Sequence, residues 1–152
     1  MTKHSLPNGT VFLVPLKPDG FARGVIARSS PDGEIRFGYF IGPRIVQTAD
    51  ARHAAPKAEQ AILMLRFGDQ RLLKGTWPII GLLPNWNPAE WPMVDHVRRD
   101  PLGLLKPLLV RYDDNDPEKI VSFEKLEHDL DLPTEGFAGS GYVENVLSSL
   151  LK

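Results

Sequence analysis

The first third of the chain alternates short apolar runs with turn-forming triplets. Thr10 to Leu16 is mostly apolar and β-branched, and Phe21 to Arg28 interleaves apolar residues with Arg23. Glu34 to Ile41 places Ile35, Phe37, Tyr39 and Ile41 on one side of an extended chain. Between these runs lie Pro18-Asp19-Gly20 and Pro31-Asp32-Gly33. Each supplies a preset φ, a side chain that bonds the turn backbone, and a glycine tolerant of positive φ. The pattern predicts a three-stranded antiparallel meander. A twisted sheet of this kind has to be closed by later apolar segments. The candidates are Ala61 to Phe67, Trp77 to Gly81, Met93 to Arg98, Leu108 to Tyr112 and Ile120 to Lys125.

Two stretches favour helix. Val46 to Gln60 is rich in alanine, but Pro56 breaks or shortens any helix there. Near the C-terminus, Tyr142, Val143, Val146, Leu147, Leu150 and Leu151 recur as pairs every four residues after Gly139-Ser140-Gly141, which predicts a helix capped by Ser140 with an apolar stripe docked on the sheet. The expected fold is therefore α+β and β-rich, a meander curled into an open sheet or a partly open SH3-like barrel with a C-terminal amphipathic helix packed on it. The 152 residues read as one domain, residues 1–152.

Composition narrows the chemistry. With no cysteine, the chain has no disulfide, thiolate ligand or thiol nucleophile. Eighteen Lys and Arg against 19 Asp and Glu leave a net charge of −1, too little basic character to hold nucleic acid or an anionic membrane. No apolar run approaches the length of a signal peptide or a bilayer span, so the expected location is cytoplasmic. His4, His53, His96 and His128 have no histidine neighbour at metal-binding spacing and read as surface or capping residues, with no metal or cofactor expected. Gly139-Ser140-Gly141 lacks the elbow of a serine nucleophile, and no phosphate-cradling glycine loop is present, so no catalytic residue is assigned.

Charge is unevenly spread. Residues 113–135 hold nine acids and only Lys119 and Lys125, whereas residues 1–112 hold fifteen bases and nine acids. Asp113-Asp114-Asn115-Asp116-Pro117-Glu118 opens the acidic stretch; it lacks the mid-loop glycine of an EF-hand and is read as a hairpin turn. A solvated acidic face is the common use of such a stretch, and a docking surface for a basic partner is the sharper one. Trp77 reads as core. Trp86 and Trp91 flank Asn87-Pro88-Ala89-Glu90 and serve either as a lid on the core or as an exposed aromatic anchor.

In order along the chain, the strings GTVFLVPL (Gly9 to Leu16), GFARGVIAR (Gly20 to Arg28), GYFIGPR (Gly38 to Arg44), LRFGDQRLLKGTWPIIG (Leu65 to Gly81), WPMVDHVRRD (Trp91 to Asp100), VRYDDNDPEKIV (Val110 to Val121) and GFAGSGYVENVL (Gly136 to Leu147) resemble the immunity protein 26 family of bacterial polymorphic-toxin systems. The resemblance implies a small intracellular protein that binds and neutralises a cognate toxin without catalysis. It carries no catalytic residue onto this chain. If the toxin is a basic nuclease, the acids mimic the phosphates it would bind. Asp113, Asp114, Asp116 and Glu118 are then the first candidates, followed by Glu124, Glu127, Trp86 and Trp91. The same family label is used beside a phosphotriesterase name, which leaves a metal-dependent hydrolase as one alternative; a standalone interaction module, self-associating through an exposed strand edge, is the other.

Overall fold

The computed structural model describes residues 6–46 and 55–152. Its first three strands are the expected meander: β1 (Thr10–Pro15), β2 (Phe21–Ser29) and β3 (Ile35–Ile45). β4 (Ala61–Gly68) extends the sheet, a short helix α1 (Gln70–Lys74) follows, and β5 (Ile79–Leu82) returns to pair with β1. A second sheet is built from β6 (His96–Arg98), β7 (Leu108–Asp113) and β8 (Asp116–Lys125). The two-residue strand β9 (Phe137–Ala138) and the helix α2 (Ser140–Leu150) end the chain. The large sheet runs in the order β5-β1-β2-β3-β4-β9, antiparallel except for the parallel β4–β9 pair, and the small sheet is β6-β7-β8. The fold is thus β-rich α+β with a curled open sheet and a C-terminal helix, as the residue pattern predicts.

Both faces of the large sheet are covered, which explains why β1 to β3 read as nearly continuous apolar runs. One face carries Phe12, Val14, Ile26, Phe40, Leu65 and Phe67, which pack with Trp77 against Val143 and Leu147 of α2. The opposite face carries Val11, Val25, Ala27, Phe37, Tyr39 and Ile41, under Leu83 and Trp91. Phe12 stacks on Trp77 with centroids 5.7 Å apart, and its ring lies directly over Gly24 on the neighbouring strand. A Cβ at position 24 would come within 2.4 Å of that ring, so the tight β1–β2 packing depends on a residue without one.

Two local expectations are corrected, and a third falls mostly outside the described residues. The cap of α2 is Gly139, with Ser140 as the first helical residue and no side-chain capping bond. Its apolar stripe is narrower than the spacing implied: Val143 and Leu147 are buried, whereas Tyr142 and Leu150 face solvent because the helix rests on the sheet along one line only. The helix expected from Val46 to Gln60 falls mostly on residues 47–54, outside the described residues. Between Ala55 and Gln60 the chain forms one 3-10 turn, Ala58–Gln60, just beyond Pro56.

Candidate functional site

The hairpin between β7 and β8 turns at Asp114-Asn115, as the acidic run predicts. The Asp113 carboxylate accepts the Asn115 amide at 2.9 Å, and the Asp116 carboxylate accepts the Glu118 amide at 2.9 Å. Two of the candidate acids therefore shape the turn that displays the others. Asp114 sits at the tip, with its side chain 75 % exposed.

Below that tip lies Arg28, the penultimate residue of β2 and one of the few buried cations. Its Nε donates to the Asp114 carbonyl at 2.5 Å, Nη1 to the Trp91 carbonyl at 2.9 Å and the Ala27 carbonyl at 2.7 Å, and Nη2 to the Pro88 carbonyl at 3.2 Å. A weaker ion pair joins it to the Asp114 carboxylate at 3.7 Å. The planar fork of a guanidinium suits this task, because one side chain has to satisfy carbonyls that arrive from different loops. Arg28 thereby fastens the acidic hairpin and the Trp86–Trp91 loop to the large sheet and to each other.

The loop itself begins with Asn87, whose side chain accepts the Ala89 amide at 3.1 Å at the start of a 3-10 turn, Pro88–Glu90. Trp91 is buried edge-on against Tyr39, with centroids 5.1 Å apart. The Tyr39 hydroxyl donates to the Pro92 carbonyl at 2.6 Å, and burial pushes its pKa up to about 12, against the opposing charge of Arg28. Trp86 is half-buried, 6.2 Å from Trp91, and rests on Gly9, which holds a φ of +92°. Trp91 is therefore a lid on the second core, while Trp86 keeps an accessible face. Both line a surface cavity of about 470 Å³ with Leu83, Pro56, Lys57 and Glu90.

The rest of the acidic segment is largely matched by bases from earlier in the chain. Lys106 pairs with Glu127, Arg99 with Asp129 at 2.9 Å and Arg98 with Glu135 at 2.9 Å. The Arg98 hydrogen bond holds the Glu135 carboxyl below its ordinary range, and Arg99 does the same for Asp129. Glu118 and Glu124 make no such pair among the described residues and point from the exposed strand β8. Glu127 lies beyond the end of β8, away from the Asp114 tip, so the structure does not group it with the hairpin acids.

His96 corrects the expectation of a surface histidine. It is fully buried; one ring nitrogen, Nδ1, bonds the Val94 carbonyl at 3.0 Å, while Nε2 has no partner. The ring packs edge-on to Phe37 and Tyr112, at 5.7 and 5.0 Å. Burial, aided by the charge of Arg66, pushes its pKa down to about 4 despite the carbonyl contact, so it is neutral near pH 7. His128 is exposed, and His4 and His53 lie outside the described residues. Among the described residues no three His, Asp or Glu side chains converge in a way that could hold a metal ion. No helix there is long and apolar enough to cross a membrane.

A family model described as Immunity protein 26 matches residues 7–106. The chain belongs to the immunity protein 26 family. No curated protein and no solved structure matches it. In this immunity protein 26 member the matched segment covers β1 to β6, Arg28 and the tryptophan loop; the acidic hairpin, β9 and α2 follow it.

Sequence reasoning missed two features of this family member. Arg28 reads as the polar end of an apolar strand, and its burial depends on loops 60 to 86 residues away. The second is the loop after β6, where the Asp100 carboxylate accepts the amides of Leu102, Leu104 and Leu105 at 2.9 to 3.1 Å. Those bonds hold its pKa below the ordinary value. They leave the three leucines 75 to 79 % exposed at the opposite end of β7 from the acidic turn. The Asp-Pro-Leu-Gly-Leu-Leu string itself was the available signal.

Proposed function

We propose that this protein neutralises a cognate toxin inside the cell by stoichiometric occlusion, with no catalytic step. Membership of the immunity protein 26 family supports the toxin partner. The observation that carries the choice of surface is the Arg28 clasp. It joins an acidic hairpin and an aromatic loop, distant in sequence, into one supported patch. Preformed loops reduce the ordering entropy that association costs, and a negative tip beside an accessible indole suits a basic cleft with an apolar rim. Asp113, Asp114, Asp116 and Glu118 supply the charge that replaces substrate phosphates if the toxin is a nuclease, with Glu124 alongside on β8. Trp86 supplies the aromatic contact, and Trp91 acts through its backbone and packing.

The test is the salt dependence of association with the cognate toxin. Replacing Asp113, Asp114, Asp116 and Glu118 by Asn or Gln is expected to slow association roughly tenfold or more at low salt and to flatten its dependence on ionic strength. Unchanged rates at both low and high salt would remove the acidic patch from the interface.

A further inference from the structure

β8 forms the outer edge of the small sheet, and among the described residues no strand pairs with that edge. The Arg66 guanidinium closes its beginning by donating to the Pro117 carbonyl at 2.7 Å, and from Glu118 onward the strand is largely exposed. Val121 and Phe123 are both more than half exposed. Bare edges of this length recruit other strands unless charge prevents it.

The arrangement of charge on this edge is set by a bulge. Ile120 lies opposite Tyr112, Phe123 opposite Val110 and Lys125 opposite Leu108, so these three β8 residues share one face. Ser122 lies opposite Arg111 and Glu124 opposite Leu109, which puts them on the other face, with Val121 as the extra residue. A second shift, between Tyr112 and Asp113, leaves Pro117, Glu118 and Lys119 without partners on β7; continuing the alternation of the extended strand back from Ile120 puts Glu118 on the first face and Lys119 on the second.

We propose that two copies of this chain associate by antiparallel pairing of β8 with β8 about a two-fold axis centred between Val121 and Ser122. An axis normal to the sheet keeps every residue on its own face, so cross-strand partners have to share a face. In this register they do. Glu118 meets Lys125 of the second copy, Ile120 meets Phe123 on the same face, and Lys119 meets Glu124 on the other. Every charge finds its opposite and the apolar residues find each other. Without the bulge this register would set residues of opposite faces against each other. The neighbouring registers, shifted by one residue, set residues of opposite faces against each other, Lys119 against Lys125 in one and Glu118 against Glu124 in the other, and so lose the same-face charge pairs. The pairing rests on the register and charge of β8 alone; it engages Glu118 and Glu124, which the toxin reading also uses, so it is measured on the chain without toxin.

Sedimentation of the purified full chain at low salt over a concentration series tests this. The wild-type chain is expected to show a reversible monomer–dimer equilibrium that weakens with salt. Lys119→Glu or Glu124→Lys alone makes both copies of one cross-strand pair repulsive and is expected to weaken the dimer about tenfold. The double variant K119E/E124K swaps the charges and is expected to recover dimerisation to within about threefold of wild type. All these side chains are exposed, so circular dichroism should be unchanged. A wild-type chain that stays monomeric throughout would leave the edge to a strand of another protein and overturn the proposal. Single variants that dimerise normally, or a double variant that stays monomeric, would overturn it as well.

Discussion

Replacing Arg28 by Met keeps most of the side-chain volume and removes every bond that ties the hairpin to the tryptophan loop. Four carbonyls lose a charged donor, and those of Trp91 and Ala27 bond it in the buried interior. Hydrogen bonds to charged groups are worth about 1.5–3 kcal/mol each, but burying the guanidinium itself costs several kcal/mol that the variant recovers. The exposed Asp114 carboxylate at 3.7 Å adds little. The balance is a loss of about 3 kcal/mol, or roughly 6–12 °C in Tm for a chain of this length. Thermal unfolding followed by circular dichroism measures the loss. Tryptophan emission follows the lid, and a red shift is expected as Trp86 and Trp91 gain water. A variant that melts within about 2 °C of wild type with unchanged emission would refute the clasp.

Three further outcomes follow from the packing. His96 stays neutral in the folded protein down to about pH 4, whereas in the unfolded chain it takes up a proton near 6.5. Its folded pKa is depressed, so the unfolded state binds more protons between these values and stability falls as pH drops from 6.5 toward 4, by roughly 3 kcal/mol at the lower end. Denaturant titrations of His96→Phe over that range should show a flatter pH profile, and an equally steep one would assign the loss to other groups. Gly24→Ala drives a methyl into Phe12, which Trp77 and Phe40 hold in place, and should cost about 1–3 kcal/mol in a thermal melt; Gly136→Ala, with open space around it, is the neutral control. Leu104→Asp and Leu105→Asp alter exposed side chains only and should leave Tm within about 2 °C of wild type.

The strands of the meander were legible because their turns carry Pro-Asp-Gly and their apolar runs have the length of buried strands. The acidic hairpin was legible for the same reason, since Asp113 and Asp116 do the bonding that Asp does in turns. Helix α1 was not read from the sequence, although Asp69 before it and Gly75 after it, at a φ of +80°, bracket it in hindsight. The Asp69 carboxylate is occupied by Arg36 at 3.2 Å rather than by a helix amide, so the local cap signal was diverted to a tertiary contact. The charge segregation was real as a count and misleading as a surface, because Arg98, Arg99 and Lys106 fold back onto Glu135, Asp129 and Glu127. Sequence distance hid those pairs, as it hid Arg28 from the carbonyls it holds. The burial of His96 came from the stacking of two sheets, which no local pattern records.

Stoichiometry of neutralisation separates occlusion from chemistry most directly. Purified protein titrated into a fixed amount of its cognate toxin should reduce toxin activity linearly, reaching full inhibition near one chain per toxin and holding there regardless of incubation time. Inhibition that continues to deepen with time at a few hundredths of an equivalent would mean turnover, and would contradict a protein that works by covering its partner.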